Sequence, residues 1–242
     1  MVPFANRVAG ARFAWMGRRV KLPHNFQGET CAIHGFSWQS QWVLAAKDET
    51  SCSLSHEWPS HTCDATSDAD VGWPWAYRTE QHFRLGPEGC LMTLSITNRS
   101  GGIMPAGLGF HPYFRRRPES LLTFGADRMF ETGPDLIPNG KSSDPQRFAD
   151  FTQGAKLPDI LVDNCFSGWE GVATLEDDLG TIEIATSGAS HLHLYSPPKE
   201  NFLCLEPVSH LPDALNQFPA DVTVLHQGQR ASMTMQISFQ PG

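Results

Sequence analysis

Four short stretches set an ionisable or hydrogen-bonding side chain among residues that restrict the backbone. They are Pro3-Phe4-Ala5-Asn6-Arg7, Ile33-His34-Gly35-Phe36, Gly107-Leu108-Gly109-Phe110-His111-Pro112-Tyr113-Phe114 and Cys204-Leu205-Glu206-Pro207. A preorganised site needs such a setting. Pro112 biases His111 towards an extended backbone, and an imidazole aimed from a strand end can move protons near neutral pH. Strand alternation puts Glu206 on the same face as Phe202 and Cys204. Desolvation there raises a carboxyl pKa and makes the anion a stronger base, so Glu206 is the candidate proton acceptor. A histidine in an apolar context is more often a core or surface residue than a catalyst, so neither motif decides the matter alone. His191 and His193, two apart on a strand, offer either a metal pair or, more commonly, a polar strand face.

Strands must hold these side chains. In Met92-Thr93-Leu94-Ser95-Ile96-Thr97 apolar residues alternate with hydroxyls, the pattern of a half-buried strand. The alternation returns in Thr181-Ile182-Glu183-Ile184 and from Ser232 to Phe239, while Gly and Pro clusters interrupt the chain before a long helix can run. The fold class predicted is therefore all-β, an antiparallel sandwich or barrel. The chain from Gly133 to Pro158 is rich in Pro, Gly, Asp and Ser and reads as long loops, either walls of a site or a surface excursion. Asp68 to Trp75 is a second candidate rim, where Trp73 and Trp75 either stack on a ligand or pack in the core.

With 242 residues the chain can bury one large core, and all-β domains reach this size undivided. A net charge of -8, and no basic run longer than Arg115-Arg116-Arg117, argue against a nucleic-acid partner. No stretch has the length of a membrane helix, and Asn6 and Arg7 stand where a signal peptide would be apolar. The expectation is a soluble cytoplasmic protein with a small or neutral partner and no membrane contact. The six cysteines are scattered and read as reduced thiols. Neither C-x-x-C nor H-E-x-x-H occurs, so the strong zinc signatures are missing.

Taken together and in order, the motifs resemble the aldose 1-epimerase (galactose mutarotase) family. The likeness runs through PFANRVAGARF from Pro3, HGFSW from His34, GLGFHPYF from Gly107, VDNCFSGW from Val162 and NFLCLEPVSHLPDALN from Asn201. It implies a galactose mutarotase-like β-supersandwich of antiparallel sheets, one domain over 1–242, with a sugar bound in an open cleft. It also implies an isomerase without metal or other cofactor, which interconverts the α and β anomers of a free aldohexose such as galactose or glucose. In that scheme Glu206 is the base at the C1 hydroxyl and His111 the acid at the ring oxygen. His34 binds near that oxygen, Arg7 and Asp163 bind hydroxyls, and Asn6, Trp169 and Trp38 are further cleft candidates. Relatives carry several strands before the Asn-Arg motif, so the resemblance implies a sandwich lacking its N-terminal strands and exposing a sheet edge.

Other readings stay open. The same fold could bind a carbohydrate without turnover. His34, His111 and Glu206 could be metal ligands in a cupin-like enzyme. Glu206 and Asp163 could be the carboxylate pair of a glycosidase. The Arg115-Arg116-Arg117 run is either a solvated turn or a clamp for the phosphate of a hexose 6-phosphate.

Overall fold

The period-two runs and the Gly/Pro punctuation leave almost no helix. Besides one helical turn at Ala214–Gln217 and short 3-10 turns, the elements are strands joined in antiparallel sheets. The computed structural model describes residues 1–59 and 72–242. It groups into two compact units, one of Met1–His82, Thr93–Gly109 and Ser209–Met233, the other of Phe83–Met92, Phe110–Val208 and Thr234–Gly242.

In the first unit the two N-terminal motifs are neighbours. Strand Arg7–Val8 pairs with Ala32–Ile33 in the register Arg7 to Ile33 and Val8 to Ala32. Asn25 clamps the second motif, its amide nitrogen donating to the carbonyls of Ile33 (2.8 Å) and Gly35 (2.7 Å) while its oxygen accepts from the Ile33 N–H. Gly35 has φ +68, and a Cβ there would collide with the Val2 carbonyl, so only glycine closes this turn. Of the candidate rim, residues 68–71 lie outside the described residues. Trp73 and Trp75 are core: they are 0% and 6% exposed, meet edge-on at 5.2 Å and pack beside Phe13. The strand predicted at Met92 to Thr97 lies within Gly89–Asn98, where Met92, Thr93 and Thr97 are partly exposed but burial does not alternate strictly. Ser95 is as enclosed as Leu94 and Ile96, and its carbonyl accepts a bond from Thr79.

The first glycine of the His111 stretch has a packing cause. A Cβ on Gly107 would run into the ring of His210. That ring is clamped, since Nδ1 donates to the Leu211 carbonyl (2.7 Å) and Nε2 accepts from the Ala5 N–H (3.1 Å). Overpacking of this kind costs about 1–3 kcal/mol. Gly107→Ala is expected to lower the urea midpoint accordingly, and an unchanged midpoint would mean that His210 can yield.

The second unit holds a six-stranded sheet in the order Tyr113–Arg115, Phe202–Val208, His191–Ser196, Val162–Ser167, Arg128–Thr132, Pro138–Ser143. Residues directly across an antiparallel pair share a face. One face carries Phe114, Leu203, Leu205, Leu194, Leu192 and Phe166, all buried, each contributing about 1.5–3 kcal/mol by its removal from water. The other carries Tyr113, Cys204, Glu206, His193, Tyr195 and Asp163. In the same unit Ala155–Lys156, Leu121–Thr123, Val172–Asp177, Gly180–Ser187 and residues 234–241 of the strand Arg230–Pro241 follow one another in a second sheet. Phe166 ties the two sheets together where its ring meets Phe124 edge-on at 5.0 Å, and Phe124 stacks on Phe151.

The segment from Gly133 to Pro158 is less irregular than predicted, since it includes the strands Pro138–Ser143 and Ala155–Lys156 and a 3-10 turn at Phe151–Gln153. The sequence Pro-Asn-Gly-Lys-Ser-Ser is mostly exposed and has no apolar alternation. Backbone pairing with Arg128–Thr132, which side-chain pattern does not register, makes it a strand.

Candidate active site

The polar face of the six-stranded sheet concentrates ionisable groups that water would otherwise surround. Glu206 is 2% exposed, more deeply buried than the alternation alone implied, and His111 Nε2 stands 3.3 Å from its Oε1. His111 lies just before the strand Tyr113–Arg115, and its ring stacks on Tyr113 with centroids 5.0 Å apart at 12°, which limits its rotation. Burial holds the His111 imidazole down at about 4, and the electrostatic influence of neighbouring His193 lowers it further. The ring is therefore neutral at pH 7. Asp163, 4% exposed, accepts a hydrogen bond on Oδ1 from His193 Nε2 at 2.7 Å. Burial pushes the Cys204 thiol well up, and the Glu206 carboxylate pushes it further, so Cys204 stays protonated and is no nucleophile.

In the first unit the Asn-Arg and His-Gly motifs present donors. His34 has φ +58, a left-handed conformation held because its N–H donates to the Asn6 carbonyl (2.9 Å). Its Nδ1 accepts from the Asn6 N–H at 3.2 Å, so the neutral ring carries its proton on Nε2. Asn6 also turns back on the chain, its Oδ1 accepting from the Arg7 N–H at 2.8 Å. Arg7 is 8% exposed, and its guanidinium reaches Glu29 at 3.4 Å. Asp213 supports the same turn, donating its N–H to the Arg7 carbonyl and accepting from the Ala9 N–H. Trp38 is 44% exposed, edge-on to His34, with Nε1 bonded to Gly35 (3.1 Å).

A protein-family model described as aldose 1-epimerase matches residues 1–238. The chain belongs to the aldose 1-epimerase family. Among this family member's relatives, YphB of Escherichia coli K12, itself uncharacterized, is 30% identical over 223 residues, which are 88% of this chain and 73% of YphB. A crystal structure of a candidate aldose 1-epimerase from Escherichia coli K12 superposes with a TM-score of 0.88 at 29% identity, covering 100% of this chain and 82% of that one. A galactose mutarotase-like protein from Clostridium acetobutylicum shares the fold alone, with a TM-score of 0.84 at 16% identity over 99% and 78% of the two chains.

The fold is the galactose mutarotase-like β-sandwich of the aldose 1-epimerase family and not that of a cupin. Other residues of this epimerase-family chain serve the frame. Trp169, 6% exposed, donates Nε1–H to the Val172 carbonyl at 2.8 Å and closes the turn after Val162–Ser167. Of the arginine run, Arg115 is exposed while the other two are engaged by the protein. Arg116 donates to Ser196 (3.1 Å) and to the carbonyls of Leu157 and Pro158, and Arg117 pairs with Asp177 (3.2 Å) and Asp178. His191 and His193 do lie on the polar strand face, as the commoner reading of their spacing has it. Among the described residues no helix is long and apolar enough to cross a membrane. Sequence reasoning passed over the Asn25 clamp, the Asp213 support and the pairing of His193 with Asp163. Only the last had a signal, two histidines alternating with leucines on one strand.

Proposed function

We propose that this chain is a mutarotase, interconverting the α and β anomers of a free aldohexose such as galactose or glucose. The observation that carries the reading is the 3.3 Å contact between Nε2 of half-buried His111 and Oε1 of buried Glu206. Glu206 takes the proton of the C1 hydroxyl as the carbonyl forms at C1. The C1–O5 bond breaks, and the ring oxygen takes the Nε2 proton of His111. A neutral imidazole suits that donor role when the proton is replaced, and the contact with Glu206 supplies the route: the proton gathered by the carboxylate passes to Nε2. The pair ends with the protons it began with. Rotation about C1–C2 and the reverse sequence close the ring as the other anomer. Asp163 accepts from a sugar hydroxyl, and the prepared donors of Arg7 and His34 suit sugar oxygens.

A free hexose is favoured over a hexose 6-phosphate because Arg116 and Arg117 are engaged by Ser196, backbone carbonyls and aspartates. The test is polarimetry. Freshly dissolved α-D-galactose and α-D-glucose should reach anomeric equilibrium faster with the protein than in buffer alone. Folded protein that binds galactose and leaves the spontaneous rate unchanged would replace this reading by carbohydrate binding without turnover.

A further inference from the structure

We infer that His193 is the positioning residue of the sugar site, holding the Asp163 carboxylate and standing between it and Glu206. In strand order the Asp163 strand, the His193 strand and the Glu206 strand are neighbours, and His193 lies directly across from Glu206. The ring is 2% exposed and its Nε2 is 2.7 Å from Asp163 Oδ1. An ionised carboxylate can only accept, so Nε2 carries the proton. Nδ1 is also buried and has no hydrogen-bond partner among the described residues, so the ring's hydrogen bonding is directed at Asp163. A buried ring with one polar nitrogen unpaired costs stability that an apolar side chain would not. What the imidazole supplies in return is a carboxylate fixed in one orientation towards a sugar hydroxyl. Its N–H also sets a positive dipole against Asp163, one strand away from the residue that faces Glu206.

This inference rests on the mutarotase reading for its effect on sugar, but not for the contact itself, and two experiments separate them. Long-range 1H–15N NMR of the imidazoles, with the His193 signals assigned by their loss in His193→Gln, should show the Nε2–H tautomer, and Asp163→Asn should shift it. An Nδ1–H tautomer, or indifference to Asp163→Asn, overturns the inference whatever the activity. In polarimetric kinetics, His193→Leu should raise KM about tenfold or more and change kcat less, as should Asp163→Asn. The double variant should be no worse than either single one, because both remove one interaction. His193→Gln, which places an N–H near the position of Nε2, should recover KM to within about threefold of wild type. Thermal melts of each variant check folding. KM effects that multiply in the double variant, or a Gln variant as impaired as Leu, would make His193 a packing residue only. A wild type that does not accelerate mutarotation would instead defeat the functional reading, and the tautomer would decide the role of His193.

Discussion

Glu206→Gln should abolish the acceleration of mutarotation, lowering kcat by about 10²–10⁴-fold, the range for loss of a positioned proton-transfer group. The amide keeps the shape and hydrogen-bonding reach of the acid but cannot accept the C1 proton. It also cannot pass a proton to His111, so both halves of the proton circuit stop together. Folding should survive, because the substitution removes a charge from a position only 2% exposed and leaves the alternate apolar face untouched. Galactose binding measured by calorimetry should persist, since Asp163 and the sheet that carries it are unaltered. Binding retained with kcat lost would identify Glu206 as the base. A kcat near wild type would remove Glu206 from the chemistry and take the proposed proton route with it.

The parts of this site that were legible in the sequence depend on local spacing. Alternation along Phe202–Val208 is enough to place Glu206 beside Cys204, because side chains on a strand reverse at every residue whatever the strand pairs with. The His-Pro step and the flanking glycines likewise act within a few residues. The pairing of Asp163 with His193 was not legible, because the two residues are 30 apart and meet only through the register between Val162–Ser167 and His191–Ser196. A slip of one residue would send His193 to the apolar face, and the pattern Leu-His-Leu does not say which partner it faces. Trp73 and Trp75 show the same limit. An aromatic ring has the same composition in a core as on a rim, and only the packing of Phe13 against both settles which it is.

In the proposed mechanism, the division into a neutral donor and a charged base accounts for the proline, glycine and aromatic neighbours of the His111 motif. Burial that keeps the imidazole neutral also leaves little room for it to move, and the Tyr113 ring stacked on it restrains what room remains. The burial that keeps the His111 imidazole neutral also encloses Glu206, so the surroundings of the two cannot be tuned independently.

His111→Gln should lower kcat by about 10²–10⁴-fold, and unlike the Glu206 variant it should also change how stability depends on pH. The folded imidazole is held at about 4, below the 6.5 of an unperturbed ring. Its contribution to stability is fully present above pH 6.5, and it is lost as pH falls towards 4, because the unfolded chain takes up a proton that the folded one refuses. At pH 5 the loss is about 2 kcal/mol. Carboxylates that titrate in the same range do so in both proteins and cancel in the comparison. Urea unfolding at pH 7.5 and pH 5 should therefore show a decline in the wild type that exceeds that of His111→Gln by about 2 kcal/mol. Equal declines would mean that the ring is unshifted, and a wild type that declines less than His111→Gln would mean that the ring is charged in the folded protein. The reaction would then start from an imidazolium–carboxylate pair rather than from a neutral donor, and kcat/KM should fall as pH rises through neutrality instead of staying level.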